Sequence, residues 1–422
     1  HNRAFYEAHL AGLSEYYNSQ SGGKLIIEGT VLPEEPNGSY KLTDIADYGP
    51  GNDGFWSMDS LERLVRDMID IGDEGTAESE FDFSDFDDNN PFTYIIFVHS
   101  GSDWQSDING DSPNDIPTFF VTLGEPVNLT SGGQLSECSV IPETTNQDGY
   151  PGSIAAAFYH EFGHALGLVD IYNTETGYPS VGIWDLMDSG TNLPVAIGYY
   201  DSQDELIVVS ATGVLPPSLS VWNKWFLGWV EMGEVDGREG EYRLPAVQVP
   251  REKYAIWDNG YGDFNSNYPQ AIRAGVSPRE YFLLENRYVP PAPDDLNGTY
   301  TPYLELEFQR DGPTGVIQYL KGLRAGQWTN SDMYDYFMPD AGLLVWHVNM
   351  DRISANLHEN TINALGDGLS LVEADGIQDI GVLDAYVLGW YGSSSDAFGR
   401  ADGGKDLYPY DQPSSRNFDR SW

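Results

Sequence analysis

The chain has 422 residues and a formal net charge of −45, from 66 acidic and 21 basic side chains. This charge argues against nucleic acid as a partner, because phosphate binding requires clustered Lys and Arg. The apolar content of 40% is enough for a sizeable core, yet no apolar run approaches the ~20 residues of a membrane-spanning helix, so membrane insertion is not expected.

The first half of the chain predicts a mixture of strands and helices. Strands are expected where β-branched and aromatic residues lie between turn residues, over 24–32, 93–98 and 118–123. Apolar residues at helical spacing predict a helix over 58–71. Another helix is expected to begin at Ser153, to continue to Leu166 and to end at Gly167.

The second half of the chain has a different pattern. Beyond Trp229, loops of Gly, Pro, Asp and Asn separate short β-like segments at 280–285, 342–348 and 369–373. The predicted fold class is therefore α+β. We expect one lobe over residues 1–232, with a mixed sheet and an active-site helix, and a β-rich second lobe over residues 233–422.

The helix that begins at Ser153 carries the sequence His-Glu-Phe-Gly-His at residues 160–164. Positions i and i+4 share one face of a helix, so His160 and His164 can present two imidazoles to one metal ion. Glu161 lies about 100° around the helix from His160, within reach of a metal-bound water but not itself a ligand. This arrangement is typical of zinc proteases.

A third metal ligand is expected shortly after this helix. Gly167 can adopt a positive φ angle and let the chain reverse, and Asp170 would then bring a carboxylate oxygen to the metal. Two His and one Asp would leave a fourth position for water. Glu175 or a more distant carboxylate is the alternative ligand if the chain does not turn at Gly167.

A methionine follows the motif by about twenty residues. The pattern His160-Glu-x-x-His164-x-x-Gly167-x-x-Asp170, followed by Met187, resembles the metzincin long motif in its Asp-ligand form. More narrowly, the chain resembles the immune inhibitor A type of secreted bacterial and archaeal metallopeptidases. Further segments with this resemblance lie at 19–25, 82–89, 98–101, 219–229, 281–287, 342–348 and 372–376.

The resemblance implies a metzincin-like zinc endopeptidase, secreted or at the cell surface, that acts on protein or peptide substrates. It implies zinc ligation by His160, His164 and Asp170, catalysis by Glu161 and a Met-turn at Met187, where the methionine forms an apolar floor under the imidazoles. Enzymes of this type are often made with a propeptide and are often followed by β-sandwich domains.

The expected reaction is hydrolysis of a peptide bond by a zinc-activated water. Zinc would lower the pKa of its bound water towards ~7, and Glu161 would act as general base and then protonate the leaving amine. The oxyanion needs a second stabiliser, which some metzincins supply from a Tyr two positions after the Met. That position is Ser189 here, so the candidates are Tyr172, Tyr199 and Tyr200.

The negative charge also suggests calcium, because so many carboxylates repel one another unless salt screens them or cations bind them. One loop carries alternating candidate ligands at Asp107, Asn109 and Asp111. A second acidic loop offers Asp82, Asp85, Asp87 and Asp88. Structural hydrogen bonds are favoured over a second metal for three residues of the second half, His347, Glu373 and Asp375.

Two other classes of protein are weighed against the protease. A surface protein can retain a protease fold without activity, but the intact Glu161 argues against this, since a structural protein would lose nothing by replacing it. A calcium-dependent module that binds carbohydrate or matrix would suit the 11 Trp and 27 Tyr residues. Such a module leaves the zinc motif unexplained.

Overall fold

The computed structural model describes thirteen parts of the chain, namely residues 1–42, 48–50, 56–76, 94–129, 133–200, 203–235, 242, 244–248, 268–287, 304–305, 334–335, 337–383 and 389–398. The acidic loop predicted to bind calcium through Asp82, Asp85, Asp87 and Asp88 lies outside the described residues. Within them, the fold is mixed α+β, as predicted. None of the described helices combines the length and apolar character that membrane crossing requires.

The described helices are α1 (Arg3–Gln20), α2 (Met58–Thr76), α3 (Ala155–Ala165), α4 (Val221–Phe226) and α5 (Met350–Asn356). Both predicted helices are confirmed, as α2 and α3. The sequence did not predict α1, which begins after Asn2, whose side chain accepts a hydrogen bond from the Phe5 backbone. Tyr17 of α1 is fully buried and its hydroxyl donates to the carbonyl of Tyr159 in α3, so α1 supports the helix that carries the motif.

The first sheet contains β1 (Ile95–His99), β2 (Phe119–Asn128) and β3 (Gln134–Pro142) in the order β1-β3-β2. It is mixed, as predicted, because β3 pairs parallel with β1 and antiparallel with β2. The strands β1 and β2 correspond to predicted strands, whereas β3 was not predicted. Helix α2 packs against this sheet through an apolar cluster that includes Val65 and Val140.

Two further sheets follow α3 in the chain. The larger has the order β11-β10-β8-β7-β6, built from β6 (Met232–Glu234), β7 (Ala271–Gly275), β8 (Glu280–Arg287), β10 (Gly342–Asn349) and β11 (Leu369–Leu371). The smaller has the order β5-β4-β9, from β4 (Val195–Tyr200), β5 (Leu206–Ala211) and β9 (Leu304–Glu305). The three β-like segments predicted in the second half coincide with β8, β10 and β11.

The strand predicted over 24–32 is wrong, because these described residues adopt no regular secondary structure. Their backbone groups bond to side chains instead of to a neighbouring strand. The N–H of Leu25 donates to Ser21 Oγ and the N–H of Ile27 donates to Ser14 Oγ. Ile26, one of the β-branched residues on which the predicted strand rested, is 71% exposed.

One large apolar cluster contains buried side chains from both sides of position 232. Tyr16, Trp184 and Trp222 contribute from the first part of the chain, and Leu283 and Trp346 contribute from β8 and β10. The division into two lobes at 232 stays a prediction. Helix α3 contributes Phe158 and Tyr159 to this cluster, which therefore fixes the helix that carries the His-Glu-x-x-His motif.

A buried charge network connects β8 to the start of α4. The guanidinium of Arg287 lies 2.6 Å from Glu285 and 3.2 Å from Asp335. Glu285 also accepts the backbone N–H of Val221 at 2.7 Å. Lys224 is buried beside this network, and burial together with the charge of Arg287 lowers its pKa to about 8. Arg287, Glu285 and Asp335 thus have partners inside the fold.

Replacing Arg287 tests this network. The variant Arg287→Met leaves the Glu285 and Asp335 carboxylates buried without their cation, so we expect the free energy of unfolding to fall by about 3–5 kcal/mol. Urea unfolding at neutral pH measures this change. The control is Arg279→Met, which removes an exposed pair with Asp351 and is expected to cost about 0–1 kcal/mol.

Equal losses for the two variants would contradict the structural importance assigned to the buried network.

Candidate metal centre

Helix α3 buries the three polar residues of its motif. His160, Glu161 and His164 are 7%, 5% and 8% exposed. The two imidazole rings are on the same face of the helix, with their centroids 5.0 Å apart, as the spacing predicted. Small side chains at Ala155 and Ala156 are buried on the same helix and allow close packing of its first turn.

The chain turns sharply after α3 and brings Asp170 to the imidazoles. The N–H groups of Gly167 and Leu168 donate to the carbonyls of His164 and Gly163, and Gly167 has a φ angle of +89°. Asp170 Oδ1 then lies 3.0 Å from His160 Nε2 and 3.5 Å from His164 Nε2. Of the two predicted alternatives, Asp170 joins the histidines, while Glu175 is exposed.

Backbone carbonyls orient both imidazole rings. His160 Nδ1 lies 2.9 Å from the carbonyl oxygen of Leu186, and His164 Nδ1 lies 2.9 Å from that of Leu168. A carbonyl oxygen only accepts, so each Nδ1 carries a proton and donates it. The other ring nitrogen of each histidine, Nε2, faces Asp170. Metal-binding histidines commonly use one ring nitrogen in this way and leave the other for the metal.

Proximity of these groups shifts their pKa values in the metal-free chain. Burial alone would lower the pKa of His160, but contact with the Asp170 carboxylate outweighs burial and raises this pKa to about 9. The pKa of His164 is raised for the same reason against the same opposing burial. Burial would raise the pKa of Asp170, yet the two imidazoles hold it well below its ordinary value. The acid is therefore ionised at neutral pH.

The three donor atoms fit a metal ion. They all lie within 4.8 Å of one another. Among the described residues, buried Asp170 Oδ1 accepts no well-aligned hydrogen bond. Two ligand atoms of a tetrahedral zinc ion are about 3.3 Å apart when each bond is about 2.0 Å. The nitrogen–oxygen distances of 3.0 and 3.5 Å lie on either side of that value, so His160, His164 and Asp170 could bind a metal.

Glu161 lies next to this group, against the first sheet. Ser139 of β3 contacts its Oε2 atom at 3.5 Å and its carbonyl oxygen at 3.4 Å. The Tyr94 hydroxyl is 2.7 Å from Ser139 Oγ, so these two side chains form a short polar chain behind the carboxylate. Burial raises the pKa of Glu161, and the charges of His160 and His164 oppose this rise. Burial therefore favours the protonated form of this carboxyl group more than water does.

Met187 lies under α3, at Gly163. A Cβ atom at Gly163 would lie only 2.7 Å from Met187 Sδ, so this close approach requires glycine. The Met187 backbone is fixed on both sides, since its N–H donates to Asp185 Oδ1 at 2.7 Å and its carbonyl accepts from Ile171 at 2.7 Å. Met187 is fully buried, which fits an apolar floor. Its assignment as a Met-turn stays a prediction.

The three candidate tyrosines differ in position. Tyr172 is close enough to the centre that, besides burial, the charges of Asp170 and Glu161 raise its pKa well above the ordinary value. Tyr172 is therefore a neutral hydroxyl donor at neutral pH. Tyr199 and Tyr200 end β4, and their side chains lie outside the described part of the structure.

The predicted calcium loop at 107–111 folds differently from its sequence pattern. Asp107 and Asp111 come together with Asp148, and these three carboxylates could hold a cation. Asn109 contributes its backbone N–H to Asp148 at 2.8 Å rather than a side-chain ligand. Asp148 follows Asp107 by 41 positions, a separation too long for a local calcium-loop motif to predict. Calcium at this loop stays a prediction.

A second acidic group lies in the second half of the chain, at Glu373, Asp379 and Asp396. The Glu373 carboxylate accepts from the N–H groups of Asp379 and Ile380, and burial raises its pKa to about 8. The structural hydrogen bonds favoured for His347 and Asp375 are observed, with Glu280 at 2.9 Å and with the N–H of Ile377 at 2.8 Å, respectively.

Sequence reasoning missed Asn360, whose side chain contacts the centre. Its amide nitrogen donates to Asp170 Oδ2 at 2.6 Å, and its amide oxygen accepts from the Asp170 backbone at 2.7 Å. Nothing in the sequence around Asn360 indicates this contact, because 190 residues separate the partners. Ser139 and Tyr94 were missed for the same reason.

The raised pKa of His160 predicts a pH dependence for the metal-free chain. An unfolded histidine titrates near pH 6.5, whereas the folded value is about 9. Contact with Asp170 thus stabilises the fold fully below about pH 6.5 and is lost as pH rises through 9. We expect the stability difference between wild type and His160→Asn, measured by urea unfolding with a chelator, to shrink over that range.

The difference in unfolding free energy between the two chains cancels the contribution of titrating groups that both chains share, such as Lys224. Parallel stability profiles of the two chains between about pH 6.5 and pH 9 would contradict the assigned contact.

Two comparisons with known proteins bear on this centre. Residues 139–202 match the family described as immune inhibitor A peptidase M6, catalytic domain. The chain is also similar to Immune inhibitor A of Bacillus thuringiensis subsp. alesti, with 26% identity over 253 residues. That match covers 53% of this chain but only 33% of the relative, so the chain spans about a third of the relative's length. No solved structure gives a significant match.

The family match contains α3, Asp170 and Met187, which are the parts of the chain that form the centre described above. Together the two matches support an immune inhibitor A type metallopeptidase, the family that the motif resembled.

Proposed function

We propose that the chain is a zinc-dependent endopeptidase that hydrolyses peptide bonds in proteins. The observation that carries this proposal is the meeting of two imidazole Nε2 atoms with Asp170 Oδ1, directly beside the buried carboxylate of Glu161. The proposed metal ligands and the proposed proton acceptor thus lie together on and just after one helix. Protein or peptide substrates are the corresponding partners.

His160, His164 and Asp170 would hold the zinc ion, with Nδ1–H bonds to carbonyls keeping both rings in the required tautomer. Two nitrogens and one oxygen are a donor set that zinc accepts in catalytic sites, where a fourth position stays open. When bound there, zinc would lower the pKa of a water molecule and polarise the scissile carbonyl.

Glu161 would move the protons of the reaction. Its carboxylate accepts a proton from the attacking water and passes it to the leaving amine. The burial that raises its pKa brings this group nearer to the operating pH, so that both transfers are accessible. Ser139, itself bonded to Tyr94, supports the side chain of Glu161 from the sheet side.

Tyr172 is the proposed second stabiliser of the oxyanion. Its hydroxyl keeps its proton because burial and the nearby charges of Asp170 and Glu161 raise its pKa. A neutral hydroxyl can donate a hydrogen bond to negative charge that develops on the carbonyl oxygen. Met187 is proposed as the Met-turn of a metzincin-like lobe.

We further propose that the protein acts outside the cell or at its surface. The resemblance to secreted metallopeptidases supports this location. A propeptide, additional C-terminal domains and bound calcium belong to the same proposal.

Chelation tests the need for metal. We expect the purified chain to hydrolyse unfolded casein, to lose this activity in a zinc chelator, and to recover it when zinc is returned. A well-folded, zinc-loaded chain without any cleavage would favour a catalytically silent protease fold instead.

A substitution of Glu161 tests its role apart from metal binding. The variant Glu161→Gln keeps the shape of the side chain but cannot accept a proton, so kcat should fall by about 10²–10⁴-fold while zinc stays bound. Casein hydrolysis and zinc content of the same preparations measure the two effects. The control is Glu175→Gln, the same change at an exposed position nearby, which should leave both unchanged.

Wild-type activity in the Glu161 variant would contradict the proposed proton transfer.

A further inference from the structure

A loop that follows α5 contacts the turn that carries Asp170. Asn360 lies in this loop and uses both ends of its side-chain amide on one residue. Nδ2 donates to Asp170 Oδ2 at 2.6 Å, while Oδ1 accepts from the Asp170 backbone N–H at 2.7 Å. The side chain and the backbone of Asp170 are thereby fixed relative to each other.

Because of the Asn360 amide, the two oxygens of the Asp170 carboxylate have different partners. Oδ2 of Asp170 is occupied by the short hydrogen bond from Asn360, which an ionised acceptor strengthens. Oδ1 is left facing His160 Nε2 and His164 Nε2, and it accepts no well-aligned hydrogen bond from any described residue. One oxygen is therefore directed away from the centre and the other directly into it.

The loop holds Asn360 itself in place. Asn360 has a φ angle of +54°, a left-handed conformation that asparagine tolerates better than most residues. Thr174, just after Asp170, donates from Oγ1 to the Asn360 carbonyl at 3.2 Å. Asn363 donates to the carbonyls of Ile171 and Leu369, which ties the loop to both the ligand segment and β11.

We propose that Asn360 is a positioning residue that makes Asp170 a metal ligand through one oxygen only. This inference rests on the proposed zinc site. By holding Oδ2, the amide prevents the carboxylate from rotating and from offering both oxygens to the metal. Partners of this kind behind a metal ligand are commonly worth 10–100-fold in metal affinity.

Two variants separate the donor role of Asn360 from its backbone conformation. Asn360→Asp is isosteric and can still accept from the Asp170 N–H, but it places a carboxylate against Oδ2. Asn360→Gly adopts the positive φ angle readily and removes both hydrogen bonds. The control is Asn356→Asp, the same change in charge four positions earlier, on a half-buried side chain whose amide donates to the carbonyl of Arg352.

The full chain is freed of metal, its fold is checked by circular dichroism, and zinc affinity is measured by competition with a chromogenic chelator. We expect Kd to rise about 10–100-fold for both Asn360 variants and to stay at the wild-type value for Asn356→Asp. Cobalt in place of zinc gives a second readout. Asn360→Gly frees Oδ2 as an additional ligand, so the visible absorption of bound cobalt should weaken, as expected for a higher coordination number.

Folded Asn360 variants with wild-type zinc affinity and a wild-type cobalt spectrum would overturn the inference, even if their activity fell. A wild-type chain that binds no zinc would overturn the proposed function, and this inference with it. The two failures are distinguished by the wild-type chain alone.

Discussion

The arrangement around Asp170 follows from the cost of burying an ionised carboxylate. Such a group must regain, inside the protein, the partners that it loses by leaving water. Asp170 has two imidazoles at one oxygen and an amide at the other. Helix α3 and the loop after α5 supply these partners, and the turn at Gly167 brings Asp170 to them. The geometry of the centre thus follows from the need to give the buried Asp170 carboxylate its partners.

The buried network around Arg287 also contacts the segment that contains Met187. Arg287 donates to the carbonyl of Trp184 at 3.4 Å, and Asp185 next to it accepts the N–H of Met187 and that of Ser220. The turn that contains Met187 is therefore connected to β8 and to α4. Hydrogen bonds between such groups are stronger in a low-dielectric interior than in water. The sheet of the second half contributes to the centre through these contacts rather than through a ligand.

How far the sequence could predict the structure depends on how local each feature is. His160, Glu161, His164 and Asp170 span eleven positions, and helical spacing with one glycine turn was enough to place them. Asp148 and Asn360 reach their sites through tertiary contacts, for which the sequence contains no local pattern. The strand predicted over 24–32 failed because hydroxyl side chains of Ser14 and Ser21 took the backbone N–H groups that a ladder would need. Short-range sequence patterns also did not predict helix α1 and strand β3.

The bond between Asp170 and Asn360 joins residues 190 positions apart. Contacts of such high sequence separation require a long loop to close before they contribute anything. Synthesis begins at the N-terminus, so the histidines leave the ribosome well before Asn360 does. The centre therefore reaches its described geometry only after α5 and the following loop have folded. A fragment that ended at 232 would contain the entire His-Glu-x-x-His motif and would lack the Asn360 amide that bonds to Asp170.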